Sequence, residues 1–318
     1  MKLKTIYETA VSKGRREDMR PRSAVEQVLK DAGKEYRKAK GIDKKTFDRE
    51  RLTNPYADTR ILNGTGEEDI KTVLVGIDIG VQEILLADKL REKGMKIDLV
   101  ISHHPSGRAL TNLYRVMDIQ PGLWEKMGFS KKVAEGLMKE RMEEVARGLA
   151  PGNNTRARDA ARLIGMPLMC IHTAADNCVA AYLQKMFDKK KPKKVKNIIS
   201  ILKAIPEYRY AMAESAGPFI LAGEENADAG KVFIDMTGGT SGPDRVLPRL
   251  SQSGVGTIVG MHCKESAYKI VKSEYMNYVI AGHMASDNIG LNLVFDEVEK
   301  KGKLKVIECS GFNRVRRR

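Results

Sequence analysis

Long hydrophobic runs are missing from this 318-residue sequence. No apolar stretch approaches the roughly 20 residues that a helix needs to cross a bilayer. The first residues, Met1-Lys2-Leu3-Lys4-Thr5, also lack the apolar stretch of a signal peptide. We therefore expect a cytoplasmic protein that does not act in a membrane.

Cysteine is scarce as well, with four residues in the whole chain. Cys170, Cys178, Cys263 and Cys309 are widely spaced and form no Cys-x-x-Cys pair. This spacing argues against a disulfide framework and against a structural zinc knuckle. We expect reduced thiols, most of them buried.

The composition is that of a folded protein, with 42% hydrophobic and 31% charged residues. A single core rarely grows past about 250–300 residues, so two packed units are expected. Lys and Arg total 56 against 41 Asp and Glu, which gives a formal net charge of +15. That charge favours anionic partners, and it leaves nucleotides, nucleic acids and acidic surfaces open.

From Thr72 onward, short β-branched runs alternate with helical patterns, which is typical of an α/β protein. We predict two associated α/β units with mainly parallel or mixed sheets flanked by helices. The expected limits are 1–70 for a basic helical N-terminal extension, 71–187 for the first unit with a helical insertion near 110–165, and 188–318 for the second unit. In the alternative arrangement the units are discontinuous, and the C-terminal part returns to the first.

Every histidine of the chain lies at, or just after, the end of a predicted strand: His103, His104, His172, His262 and His283. The carboxyl ends of strands are where ligand sites assemble in open α/β sheets, so these side chains can converge. A single histidine at such a position is more often structural than functional. Five out of five indicate a cluster.

Two carboxylates accompany the histidines at helical spacing. His172 and Asp176 are four residues apart, as are His283 and Asp287. Each pair lies on one helix face if a helix follows the strand. Imidazoles and carboxylates without a thiolate are the ligands of zinc, iron or manganese. The sequence therefore predicts a metal site, without choosing among these metals.

Three ordered segments carry a resemblance to a known family. Ile101-Ser102-His103-His104-Pro105, His172-Thr173-Ala174-Ala175-Asp176 and Gly282-His283-Met284-Ala285-Ser286-Asp287 resemble the motifs of the NIF-three-like proteins. This family is also known as domain of unknown function thirty-four, and its members are often named GTP cyclohydrolase I type 2 homologues. The resemblance covers roughly residues 70 to 310.

The resemblance implies a dinuclear metal centre. Carried over by position, the ligands of the two divalent ions are His103, His104, Asp176, His283 and Asp287. The family usually has Glu where this chain has Asp287, so the bridging geometry is expected to differ. Family members form ring-shaped hexamers, which implies a homo-oligomer.

Two further histidines have less definite roles. We interpret His172 as a residue that orients a ligand or substrate, with a structural role as the equal alternative. His262 either meets substrate or fills space. Beyond a metal-bound water, the sequence assigns no catalytic group.

The residues support a metal-dependent hydrolase that acts on a small, anionic, nucleotide-like substrate, because two metal ions activate water and stabilise negative charge. The alternative is a non-catalytic metal-binding protein for metal storage, delivery or sensing, or an interaction scaffold. Nucleic-acid binding is a third possibility, based on the basic segments 13–22, 189–196 and 314–318. These segments read as solvated helix, linker and tail. The glycine-rich run 237–242 is expected to be a tight turn rather than a phosphate cradle.

Overall fold

In a computed structural model, which describes residues 1–317, the strands form two sheets. The first has the order β1-β4-β3-β2-β9, and only its edge strand β1 is antiparallel to its neighbour. The second has the order β5-β8-β7-β6, again with one antiparallel edge strand, β5. The strands are β1 (Arg60–Asn63), β2 (Thr72–Gly76), β3 (Leu99–Ser102), β4 (Leu168–Cys170), β5 (Phe219–Ala222), β6 (Lys231–Asp235), β7 (Val255–Gly260), β8 (Asn277–Ile280) and β9 (Lys305–Glu308).

Helices flank both sheets. Short 3-10 turns cover Arg49–Leu52, Leu113–Asp118 and Asp244–Val246. The α-helices are α1 (Leu3–Glu17), α2 (Arg22–Lys38), α3 (Gly41–Thr46), α4 (Val81–Glu92), α5 (Gly107–Thr111), α6 (Ile119–Lys126), α7 (Lys131–Leu149), α8 (Arg156–Leu163), α9 (Thr173–Lys190), α10 (Val195–Lys203), α11 (Pro206–Ala213), α12 (Leu247–Gln252), α13 (Glu265–Ser273) and α14 (His283–Glu299). None of the helices within residues 1–317 has the length and apolar character needed to cross a membrane.

Strands β2 and β3 are buried along their whole length because helices cover both faces of the sheet. This explains why they read as continuous apolar runs rather than as alternating patterns. The α/β class, with mostly parallel sheets flanked by helices, is confirmed. The last strand, β9, pairs with β2, so the chain ends in the first sheet.

Helices α9 and α14 join the two sheets. α9 follows β4 of the first sheet and also packs against β6 of the second, while α14 follows β8 and packs along α9. The two helices approach closely at Gly290, where an added Cβ would lie 2.5 Å from the carbonyl oxygen of Ala175. Their N-terminal turns are thereby held side by side.

The N-terminal region differs from the expected extension of helices and loops. It contributes strand β1, and its first helix is part of the main hydrophobic core. Leu3, Ile6 and Ala10 recur at helical spacing and are fully buried, where α1 contacts α9 and α14. The surrounding lysines and arginines mask this apolar stripe in the sequence. Edge strand β5 was also not predicted from the sequence. It is not a buried apolar run, because Phe219 at its start is 51% exposed.

Candidate metal centre

The predicted site residues come from three places in the fold. His103 and His104 follow β3 directly, and His172 lies between the adjacent strand β4 and helix α9. Asp176 is in the first turn of α9, while His283 and Asp287 are in the first two turns of α14. Parallel strand ends and the contact between α9 and α14 therefore bring distant sequence segments together.

The histidine rings form a connected cluster. Ring centroids are 5.1 Å apart for His103 and His104, and 4.9 Å apart for His103 and His172. His104 lies 5.3 Å from His283, which in turn lies 5.1 Å from His262. The structure thus brings together all five histidines that the sequence places at strand ends.

In three of the histidine rings, an oxygen atom lies at hydrogen-bond distance from Nδ1 and holds the ring in place. The Nδ1 atom of His103 lies 2.9 Å from the carbonyl oxygen of Ile171. Nδ1 of His104 lies 2.7 Å from Asp78, and Nδ1 of His172 lies 2.8 Å from Asp58. Because each of these oxygens accepts a hydrogen bond, each Nδ1 carries a proton, and Nε2 is the ring nitrogen that a metal ion would occupy, in His103 in place of a second proton.

The free Nε2 atoms face two carboxylates. Nε2 of His103 is 3.4 Å from Asp176 Oδ1 and 3.3 Å from Asp287 Oδ1. Nε2 of His104 and of His283 are 3.6 and 3.7 Å from Asp287 Oδ2. His172 Nε2 lies 3.8 Å from Asp176 Oδ2. Asp287 is therefore at the centre of the cluster.

Several of these atoms have no other partner in the part of the chain that the structure describes. Nε2 of His103, Oδ1 of Asp176 and both carboxylate oxygens of Asp287 are buried without a hydrogen bond. A buried polar or charged atom without a hydrogen-bond partner destabilises the folded protein, by up to roughly several kcal/mol. Such atoms therefore indicate that a binding partner is missing. Donors of this chemistry fit a divalent cation.

Three groups of donors lie close enough to hold an ion, each with its ligand atoms within 4.8 Å of one another. They are His103 with Asp176 and Asp287, His104 with His283 and Asp287, and His103 with His104 and His172. Asp287 belongs to two of the groups. The buried His and Asp side chains could therefore hold a metal ion.

The electrostatics of the cluster are those of a cation site. Burial opposes a charge on His103, but Asp287 and Asp176 outweigh it and raise the pKa of His103 from 6.5 to about 10. Burial likewise opposes a charge on Asp287, yet the surrounding imidazoles lower the pKa of that carboxyl. A proton on His103 occupies the position at which a metal ion would bind.

The two histidines with less definite roles lie in different environments. His172 is buried, and its partner Asp58 is fixed in turn by the hydroxyl of Thr173 at 2.6 Å. His262 is exposed and stacks edge-on against His283 at the mouth of the site. Burial of part of its ring, together with His283, lowers the pKa of His262.

A cavity of about 50 Å³ adjoins the cluster. Residues at the starts of α9 and α14 line this cavity together with Asp235 and Thr237 at the end of β6. A second cavity of about 40 Å³ continues from it past His262 and Asp235. Burial raises the pKa of Asp235 to about 6.

Sequence analysis missed three acidic residues of the site. Asp78 lies two residues after the end of β2, so a search for carboxylates at strand ends would have found it. Asp235 ends β6 in the same way. Asp58 lies in a turn 114 residues before its partner His172, and no local signal connects the two.

The glycine-rich run after β6 packs against the helical insertion, as expected for a tight turn. Gln120 of α6 donates hydrogen bonds to the carbonyl oxygens of Gly238 and Thr240, at 3.1 and 2.6 Å. Arg141 of α7 donates to the carbonyl oxygen of Ser241 at 3.1 Å. The insertion thus supports one wall of the cavity.

The basic C-terminal segment is largely neutralised within the protein. Arg314 is 2% exposed and pairs with Asp296 and Glu299 at 2.6 and 3.2 Å. Arg316 pairs with Glu299, and Arg317 pairs with Glu207. A nucleic-acid phosphate would have to displace these carboxylates.

Comparisons with known proteins find similar solved structures. No protein-family model and no curated protein matches the chain. Among solved structures, a NIF3 superfamily protein from Sphaerobacter thermophilus is 26% identical, with a TM-score of 0.69 over 80% of this chain and 91% of that chain. A protein named ybgI, of unknown function, is 14% identical with a TM-score of 0.50 over 85% and 94% of the two chains. Reduced HcgD from Methanocaldococcus jannaschii is 14% identical with a TM-score of 0.48 over 79% and 87%.

Proposed function

Since this chain is a NIF3-like protein by its fold and by its ordered His and Asp motifs, we propose that it is a dinuclear metal-dependent hydrolase of a small anionic substrate. The observation that carries the proposal is the set of buried donor atoms without partners around Asp287. Asp287 is shared by two donor groups, one with His103 and Asp176 and one with His104 and His283. These two groups would each hold one ion of a dinuclear centre, and Asp287 would contribute to both.

When bound, such a pair of ions lowers the pKa of water and stabilises the negative charge that develops on the substrate. The protein residues supply orientation. Asp78, Asp58 and the carbonyl of Ile171 hold three imidazoles in the tautomer and the position that leave Nε2 free. Outer contacts of this kind are as much part of a metal site as the ligands are.

One side of the cluster is open. His103, Asp176 and Asp287 are 1%, 5% and 1% exposed, whereas the side chains of His104 and His283 are 28% and 42% exposed. Substrate therefore approaches the group that contains His104 and His283. The N-termini of α9 and α14 both begin at the site, and their dipoles favour an anion there. A nucleotide such as GTP is the substrate class we favour.

The donor set leaves zinc, iron and manganese as candidate metals, because nitrogen and oxygen ligands without thiolate suit all three. Asp287 is one methylene shorter than the Glu usual in the family, so the two ions would sit at an altered spacing. We propose that the protein works in the cytoplasm, where its four free cysteines stay reduced, and as a homo-oligomer.

Hydrolysis of nucleotides by protein reloaded with zinc, iron or manganese tests the proposal. We expect turnover that chelator abolishes and that the same metal restores. His104→Ala should remove it, because His104 is on the open side, while Asp69→Asn, at an exposed ion pair with Lys2, should not. A fully metal-loaded protein without turnover on any nucleotide would contradict the proposal.

One observation favours a second candidate, a non-catalytic metal-binding protein for storage, delivery or sensing. The cavity of about 50 Å³ beside the cluster holds a few waters but not a nucleotide. Exchange of the metal with a chelator in solution, at a rate that nucleotides leave unchanged, would support this candidate over the hydrolase.

A further inference from the structure

Asp235 is a carboxyl group that lines the cavity beside the histidine cluster and belongs to none of the donor groups that could hold a metal ion. It ends β6 of the second sheet and lines both the cavity beside the cluster and its continuation. Within residues 1–317 its side chain forms no ion pair, and burial is the sole influence on its pKa. A partly buried carboxyl without a structural partner has no evident role in stability.

Asp235 shares its cavity with residues of the candidate site. His172, Asp176, His283 and Asp287 line the same cavity. The polar residues of the second cavity, which Asp235 also lines, include Asp244, His262, Cys263, Lys264 and Tyr278. A substrate that enters the first cavity would therefore meet both Asp235 and the proposed ligands.

Several of the other polar groups around the two cavities are already engaged. Asp244 pairs with Lys264 at 2.9 Å, and the hydroxyl of Tyr278 donates to the carbonyl oxygen of His262 at 2.9 Å. His172 is held by Asp58. Among the described carboxyls that line the cavity beside the cluster, Asp235 alone belongs to none of the donor groups that could hold a metal.

We propose that Asp235 is the general acid of the proposed hydrolase, which protonates the leaving group of a phosphoester substrate. This inference rests on the proposed function. Water forms the new bond to phosphorus as the bond from phosphorus to the leaving oxygen breaks. The leaving oxygen takes the proton of Asp235, and the proton released by the attacking water restores the acid, so one water is consumed. A pKa raised to about 6 keeps part of Asp235 protonated near neutral pH, as the role requires.

The test compares two aryl phosphates that differ in their need for a proton. Phenyl phosphate has a poor leaving group that needs protonation, whereas p-nitrophenyl phosphate releases a stable anion that does not. We would measure kcat/KM for both substrates with the wild type, Asp235→Asn, Asp235→Glu and the control Asp228→Asn. Asp228 is an exposed carboxyl that pairs with Lys194 in the loop before β6. Metal content and thermal unfolding would be measured for each protein.

We expect Asp235→Asn to retain its metal and to lose about 10²-fold or more with phenyl phosphate, the usual contribution of a general acid. The loss with p-nitrophenyl phosphate should be at least about tenfold smaller, and Asp235→Glu should restore part of the difference. Equal losses with both substrates, or no loss, in a wild type that is active would overturn the inference alone. A wild type that hydrolyses neither ester would also overturn the inference, because the inference requires phosphoester hydrolysis, whereas turnover on nucleotides tests the proposed function separately. If Asp235→Asn does not fold, Asp235→Ser provides the same comparison.

Discussion

Because α9 and α14 are in close contact at Gly290, we predict that Gly290→Ala destabilises the protein, although alanine has the higher helix propensity. In an exposed helix, Gly→Ala stabilises by roughly 1 kcal/mol because alanine restricts the unfolded chain. At Gly290 the new Cβ would lie 2.5 Å from the carbonyl oxygen and 2.8 Å from the carbonyl carbon of Ala175. Both are backbone atoms of a helix, which cannot move aside as a flexible side chain does.

We therefore expect Gly290→Ala to lower the free energy of unfolding by about 1–3 kcal/mol, the range found for overpacked cores. The site should change as well. Ala175 directly precedes Asp176, and Gly290 lies less than one helical turn after Asp287. Pushing the helices apart separates the two carboxylates, so metal affinity should fall.

Urea unfolding followed by circular dichroism measures the first effect, and metal titration measures the second. Gly136→Ala is the matched control, since Gly136 lies inside α7 with no atom within 4 Å of its added Cβ. This control should gain roughly 0.4–1 kcal/mol. A Gly290→Ala protein as stable as the wild type, with unchanged metal affinity, would refute the packing argument.

The remaining predictions concern the groups around the site and the basic tail. Asp58→Asn should weaken metal binding by about 10–100-fold, with little change in the fold, because it releases His172. Isothermal titration measures the metal affinity. An unchanged affinity would mean that His172 has no part in the site. Arg314→Ala should cost about 1.5–3 kcal/mol in urea unfolding because its buried guanidinium bonds to Asp296 and Glu299, whereas the more exposed Arg316→Ala should cost about 1 kcal/mol or less. Similar losses for the two arginines would contradict the difference in burial. Duplex DNA binding, measured by fluorescence anisotropy at increasing salt, should be weak and unchanged by Arg314→Ala; tight binding that this substitution removes would favour a nucleic-acid role.

Much of the candidate site could be predicted because its residues obey local rules. His103, His104 and His172 follow strands that read as apolar runs, and parallel strands bring their carboxyl ends to one edge. The four-residue spacing of His283 and Asp287 places both at the start of α14. These are properties of short segments, and a single sequence displays them.

What escaped prediction depends on contacts between distant segments. Asp58 reaches His172 only because the N-terminal region folds against the first sheet, and its burial could not be read from a turn-rich stretch. The core helix α1 was hidden by its charged outer face, and strand β1 begins with Arg60, a charged residue that is fully buried. Asp235 ends β6, and only the fold shows that it lines the cavity beside the cluster.

If the buried donors around Asp287 bind two metal ions, the metal content per chain shows it. Elemental analysis would use protein purified without chelators and without a metal-binding tag, as wild type and as His103→Ala combined with Asp176→Ala. We predict close to two divalent ions in the wild type and a clear loss in the double variant. A wild type without metal, or a metal content that the substitutions leave unchanged, would contradict the account.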